Sequence, residues 1–281
     1  MLNTLSSAAF VGGLLLAGAA APAADVVQDC CSPSAQPAAA NLSTPALEPV
    51  AGPAAVGRVV FVGEATGRAL HEGEAPEVKP LSIEAKAAEG CVPGGGEVDS
   101  TDRSLLISKD GGIANVVIEV SVEGAQVKVP EKPIHMDQTK CRFEPHVVVV
   151  PAGSTIEYLN SDSVSHNVHT YAKRNDSMNK TIASGGKETQ KYEKADQIEV
   201  KCDIHPWMNS YLVVTGAPYY AVTDADGKFS IAGLPAGTHK VDYWHEKLGK
   251  GKAEITVKDD GTVEGFEIKL GGAKKGGGRR R

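Results

Sequence analysis

Cys202, His205 and Met208 recur at three-residue intervals in Val200-Lys201-Cys202-Asp203-Ile204-His205-Pro206-Trp207-Met208. His166 lies 36 residues before Cys202, in Ser165-His166-Asn167-Val168-His169. Together they offer one thiolate, two imidazoles and one thioether. Two histidines and a cysteine with a weak axial methionine form the donor set of a blue-copper electron-transfer site, where soft sulfur favours Cu(I) and imidazole suits both oxidation states. Zinc fits less well, because structural zinc takes cysteine and histidine and thioether is not a normal ligand for it. Taken singly, each residue reads better as a buried cysteine or a surface histidine. Four donors in the order His, Cys, His, Met beside strand-like runs point to a bound metal ion.

Such a centre needs ligands on a rigid frame. Strand patterns appear at His146 to Val150, Thr155 to Leu159, Asn167 to Thr170, Gln197 to Lys201 and Tyr211 to Thr215, so His166 and Cys202 adjoin strand ends. Several short strands joined by turn residues imply a sandwich rather than βαβ units. In a regular strand from His166, pleat alternation puts His166 with Val168 on one face and Asn167 with His169 on the other, so His169 points away from the site.

The two ligand segments resemble a cupredoxin, and within that family an amicyanin-like, plastocyanin-related protein, in which the ligand loop is Cys-x-x-His-x-x-Met and the first ligand opens a His-Asn-Val-His run. The lead-in Phe143-Glu144-Pro145-His146-Val147-Val148-Val149-Val150-Pro151-Ala152-Gly153-Ser154-Thr155-Ile156-Glu157-Tyr158-Leu159-Asn160 is similar to the family's opening strands. The resemblance covers about residues 131 to 216. It implies one type 1 copper ion held by His166, Cys202, His205 and Met208, and an Asn167 that hydrogen-bonds near the residue after the cysteine. That residue is Asp203, where relatives usually carry Ser or Thr. The resemblance also implies redox protein partners docking near His205, Pro206 and Trp207; Trp207 packed inward is the other reading.

Further along, Thr223-Asp224-Ala225-Asp226-Gly227-Lys228-Phe229 and Leu234-Pro235-Ala236-Gly237 resemble the carboxypeptidase regulatory-like, transthyretin-like sandwich. A unit from 217 to 270 buries a modest share of its surface and is marginal alone. It is expected to borrow strands from Gly57–Gly63 and Asn115–Val122, with the copper module inserted into or packed against it.

The chain has 281 residues, enough for about two domains. Its net charge of −6 argues against nucleic acid, which is bound through clustered Lys and Arg. Residues 1–24 read as a secretory signal with an apolar stretch and small residues near Ala21-Pro22-Ala23, though no Lys or Arg precedes it; an uncleaved segment would associate with a membrane. Residues 25–56 are poor in large apolar side chains and read as a disordered linker. Residues 57–130 form an N-terminal β region and 271–281 a basic flexible tail. The run 64–80 reads as a loop, Ser104–Ile107 as a strand, Lys109-Asp110-Gly111-Gly112 as a hairpin turn, and Ile83–Glu89 as a short helix.

Five cysteines are present. With Cys202 assigned to metal, Cys91 and Cys141 are left as a disulfide in an oxidising compartment or as two separate buried thiols. Cys30 and Cys31 have no assigned role. No phosphate-binding glycine loop and no Gly-x-Ser-x-Gly elbow occur, and the position four after Cys202, where a dinuclear centre would need cysteine, is Pro206. The expectation is therefore an exported, all-β protein: a cupredoxin-like Greek-key sandwich plus a transthyretin-like one, carrying single electrons in the periplasm or at the cell surface and not an enzyme. A copper-binding or copper-delivery protein, or a structural envelope protein with a degenerate site, are the alternatives.

Overall fold

A computed structural model describes residues 62–92, 95–263 and 265–271. The expected export segment, the linker, Cys30, Cys31, residues 57–61 and nearly all of the basic tail lie outside the described residues. Within them the fold is all-β, with no helix.

Strand β1 (Val62–Glu72) is followed by a long excursion and then β2 (Val117–Ser121). The next nine strands are β3 (Ile134–Thr139), β4 (Arg142–Glu144), β5 (Val147–Pro151), β6 (Ser154–Asn160), β7 (His166–Tyr171), β8 (Asn179–Ile182), β9 (Lys187–Tyr192), β10 (Asp196–Lys201) and β11 (Asn209–Thr215). They form two sheets, in the orders β5-β11-β10-β7-β8 and β4-β3-β6-β9. Period-two alternation turns Ile156 and Tyr158 of β6 and Ile198 and Val200 of β10 into the shared core, where Met136, Phe143, Val168 and Leu212 meet them.

After β11 come β12 (Tyr219–Val222), β13 (Lys228–Pro235), β14 (Gly237–His245), β15 (Gly249–Val257) and β16 (Phe266–Gly271). These pair with the two earliest strands, in sheets ordered β13-β1-β16 and β12-β2-β14-β15, around a second core that includes Ile118, Val120, Ile231, Leu234 and Ile255. The chain thus leaves β2 for nine strands and returns to the same strand, with Val117 opposite Val222 and Val120 opposite Tyr219.

Val147-Val148-Val149-Val150 is a continuous apolar run because β5 is buried on both faces. Val148 and Val150 face the first core, while Val147 and Val149, with Val213, meet Val117 of β2 in a junction cluster bordered by Tyr211, Tyr220 and Trp244. The Trp244 and Tyr211 rings meet edge to face at 5.1 Å. His146 Nε2 lies 2.5 Å from Glu246 Oε1 there, and Thr215 hydrogen-bonds Glu119. The segment Trp244-His245-Glu246 therefore belongs to the junction.

Three local expectations are corrected. Residues 64–72 are strand, not loop: β1 is the central strand of its sheet, and its buried positions take small residues, Ala65 and Ala69, so no β-branched run announces it. A Cβ on Gly67 would lie 2.6 Å from the Phe229 ring across the pair. Ser104–Ile107 makes only the single bridge Ile107–Ile113, because Leu105 drops into the second core instead of continuing a ladder. Residues 85–90 are a chain of turns, in which Ala87 and Ala88 both donate to Glu84 O.

At Gly112 the early and late parts of the second sandwich approach closely. A Cβ there would meet the Asp226 carbonyl oxygen at 1.9 Å. Gly112→Ala is expected to destabilise the protein by at least about 1–3 kcal/mol, the usual range for overpacking, in chemical denaturation. An unchanged midpoint would mean that the two turns do not touch in solution.

Candidate metal centre

The ligand loop is the connection of a β-hairpin. β10 ends at Lys201, opposite Asn209 of β11, and residues 202–208 bridge the two strands. Two backbone bonds close the loop, Cys202 N–H to Met208 O at 3.1 Å and Met208 N–H to His205 O at 2.9 Å. β7 lies beside β10, with His169 opposite Lys201, which brings the start of β7, His166, to the mouth of the loop. Asn167 fastens the two segments: its Oδ1 accepts the Asp203 N–H at 2.5 Å, and its Nδ2 donates to Asp203 Oδ2 at 3.1 Å.

This framework brings His166, Cys202 and His205 together, each offering a donor atom within 4.8 Å of the others. His166 Nδ1 and His205 Nδ1 are 2.9 Å apart, and Cys202 Sγ is 3.7 Å from His205 Nδ1. Exposure is 0% for His166, 2% for Cys202, 5% for His205 and 0% for Met208. Met208 shares the first core with Cys202 and is placed by the loop's backbone bonds. His169 points away, its Nδ1 3.0 Å from Asp203 Oδ2 on the solvent side. Asp203 therefore faces water and a histidine rather than burying its charge against the thiolate. Its carboxyl is held below the usual range, chiefly by the His169 hydrogen bond.

The disulfide reading of Cys91 and Cys141 holds, but two features around the centre were not foreseen from the sequence: Asp162, and the place of that disulfide. Asp162 is buried, and its Oδ2 lies 2.8 Å from His166 Nε2. An aspartate in a short polar turn is so ordinary that nothing in Asn160-Ser161-Asp162-Ser163 marks it out. Cys91 and Cys141 are disulfide-bonded, and the bond lies against the centre, with its sulfurs within 4.8 Å of a His205 ring nitrogen. Trp207 turns inward and donates its Nε1–H to Cys141 O at 3.1 Å, with its ring 5.2 Å from that of His205. Ile204 and Pro206 are exposed on either side of His205.

The electrostatics follow from these contacts. Burial pushes the Cys202 thiol up, but hydrogen bonds from His166 and His205 and from the Asn167 and His205 backbone outweigh it and bring it down to about 6. Burial pushes His166 down, yet its bonds to Asp162 and Cys202 win and raise it. Two imidazole nitrogens facing each other at 2.9 Å hold at most one hydrogen between them, so a cation beside the thiolate can take that proton's place. Two other donor groupings, Cys91/Cys141/His205 and Cys141/Asp162/His166, include disulfide sulfur and so lack a thiolate. The His166, Cys202 and His205 set fits a thiophilic, imidazole-binding cation.

Residues 130–215 match the family model described as copper binding proteins, plastocyanin/azurin family. Residues 130–215 are a plastocyanin/azurin-family domain. No curated protein matches the chain. Among solved structures, amicyanin from Paracoccus versutus is 21% identical over 35% of this chain and 97% of its own, with a TM-score of 0.27. A purple cupredoxin from Nitrosopumilus maritimus is 19% identical over 29% of this chain and 98% of its own, with a TM-score of 0.26. A Cu-containing nitrite reductase from Thermus scotoductus SA-01 is 22% identical over 34% of this chain, with a TM-score of 0.29, and the match spans only 25% of the reductase.

In metal-free protein the thiolate absorbance of the plastocyanin/azurin-family domain should titrate with a midpoint near pH 6 for Cys202 and move upward in His205→Ala. A midpoint at or above the free-cysteine value of about 8.5 would show that the two histidines do not reach the sulfur.

Proposed function

We propose that the protein is an exported one-electron carrier that uses a single copper ion held by His166, Cys202, His205 and Met208. The observation that carries this reading is the meeting of His166 Nδ1, His205 Nδ1 and Cys202 Sγ in a buried site built from two adjacent strands and one closed loop. Copper in such a set cycles between Cu(I) and Cu(II) and so supplies one electron at a time. The chain's part is to keep the same donors in place in both states. Asn167 and the two loop-closing backbone bonds fix Cys202 against His166, and Asp162 fixes His166.

The near-complete burial of all four side chains favours retention of the ion over delivery. Export is supported by the Cys91–Cys141 disulfide, since disulfides persist in oxidising compartments. Redox partners would dock on the face where exposed Ile204 and Pro206 flank His205. We read the second sandwich as carboxypeptidase regulatory-like. Its Thr-Asp-x-x-Gly-x-Phe stretch forms the β12–β13 turn, where Asp224 Oδ1 accepts the N–H groups of Asp226 and Lys228 and Gly227 has φ 76°.

Purified protein should take up one Cu(II) per chain and absorb intensely in the red. Cys202→Ser should abolish that band, and Met208→Ala should keep copper while changing the band and the potential. A colourless protein that holds Cu(I) and surrenders it to a chelator would favour delivery. No uptake at all would remove the copper reading.

A further inference from the structure

Asp162 makes more contacts at the centre than its place in a turn requires. One oxygen, Oδ2, lies 2.8 Å from His166 Nε2 and also accepts the Cys141 N–H at 2.7 Å; the other, Oδ1, accepts the Lys140 N–H at 2.5 Å. The backbone that carries this carboxylate is itself held, because Asp162 N–H donates to Asn160 Oδ1 at 3.0 Å and Ser184 Oγ donates to Asp162 O at 2.6 Å. Lys140 and Cys141 are consecutive non-glycine residues with φ 52° and 51°. Left-handed backbone of this kind persists only where its surroundings over-determine it. Here the two-residue β3–β4 hairpin, with Thr139 opposite Arg142, requires it, and the Asp162 carboxylate on one side and the bond from Cys141 to Cys91 on the other hold the turn in place.

Cys91 belongs to the excursion between β1 and β2, which is pinned over this end of the domain. Ser163 Oγ donates to Gly90 O at 3.0 Å, and Arg142 donates to Thr101 O at 2.7 Å and to Asp99 O. Leu81, Ile83, Ala87, Ala88 and Val92 pack on the first core. The excursion therefore reaches the centre through a short mechanical path, from Cys91 to Cys141, to the Asp162 carboxylate, to the His166 ring.

We propose that Asp162 is a positioning residue that orients His166 for metal and couples that orientation to the Cys91–Cys141 disulfide. The proposal rests on the copper reading above. An imidazole that gives its Nδ1 lone pair to a metal keeps its hydrogen on Nε2, and a carboxylate on that N–H fixes the ring's rotation and its tautomer. Loss of the disulfide releases the 140–141 turn, which loosens the carboxylate and lets His166 rotate out of the donor set.

The test uses the whole chain. In the wild type, an imidazole N–H assigned to His166 Nε2 should be protected from solvent exchange by NMR, both metal-free and loaded with Cu(I). Asp162→Asn, nearly isosteric, should lose that protection, weaken Cu(II) binding about 10–100-fold, as other losses of a ligand's hydrogen-bond partner do, and shift the visible band. Cys91→Ser with Cys141→Ser should act in the same direction, and adding Asp162→Asn to it should give less than the sum. A rapidly exchanging Nε2–H in the wild type would overturn the proposal even if the variants fail to fold. So would an Asp162→Asn protein that melts lower but keeps its band and affinity, and additive effects would overturn the coupling. If the wild type binds no copper, the copper reading fails, while the metal-free NMR still reports whether Asp162 holds His166.

Discussion

A thiol and two imidazoles are withdrawn from water to within 4.8 Å of one another, and polar groups buried this way are costly unless each finds a partner. The domain's design follows from meeting that cost. The sulfur is stabilised as thiolate by both histidines, one histidine is braced by a buried carboxylate, and the loop bearing the other two donors is tied to β7 through Asn167. None of these bonds lies within a strand ladder. The ladders β7–β10 and β10–β11 supply the register that makes them meet, since a one-residue slip would turn His166 out of the core.

The sheet that carries this register has no free outer face over β5 and β11. Val147, Val149 and Val213 are covered by the second sandwich, whose strand β2 supplies Val117 to the junction. Because β2 pairs with both β12 and β14, the second sandwich closes only after the nine intervening strands have been threaded. The excursion that follows β1 leaves that sandwich, packs over the ligand end and returns through Leu105. The two sandwiches are thus joined twice, along the valine face and through the disulfide-bonded segment.

The meeting of His166, Cys202 and His205 was legible because their residue types and spacing carry it: Cys202 and His205 sit on one loop, and His166 begins the strand that pairs beside it. The outward direction of His169 followed from pleat alternation alone. The central strand β1 was not legible, because a strand beneath an aromatic ring across the pair is built of Ala65, Gly67 and Ala69 rather than of β-branched residues. β9, Lys187-Glu188-Thr189-Gln190-Lys191-Tyr192, is a half-exposed strand with almost no apolar signal. Asp162 escaped notice because its function depends on a partner 21 residues before it, Cys141, and one four residues after it, a relation that only the folded chain states.

On the carrier reading, the burial of His205 bears on how an electron would leave the centre. On one side the ring is backed by Trp207 and by the disulfide, both anchored to the 139–142 turn. Along the chain its neighbours Ile204 and Pro206 are exposed, and Ile204 leaves 48% of its surface in solvent, an unusual placement for so large an apolar side chain. An apolar rim beside a nearly buried imidazole lets a partner approach closely without a charged group to desolvate, and a small contact of that kind dissociates quickly, as a carrier requires. Lys201, just before the loop, and Asp203, within it, are drawn aside, Lys201 to Glu199 and over the Tyr171 ring, and Asp203 to His169 and Asn179. They form a polar patch next to the apolar rim rather than across it. On the carrier reading, that separation lets one surface choose the partner while the other conducts.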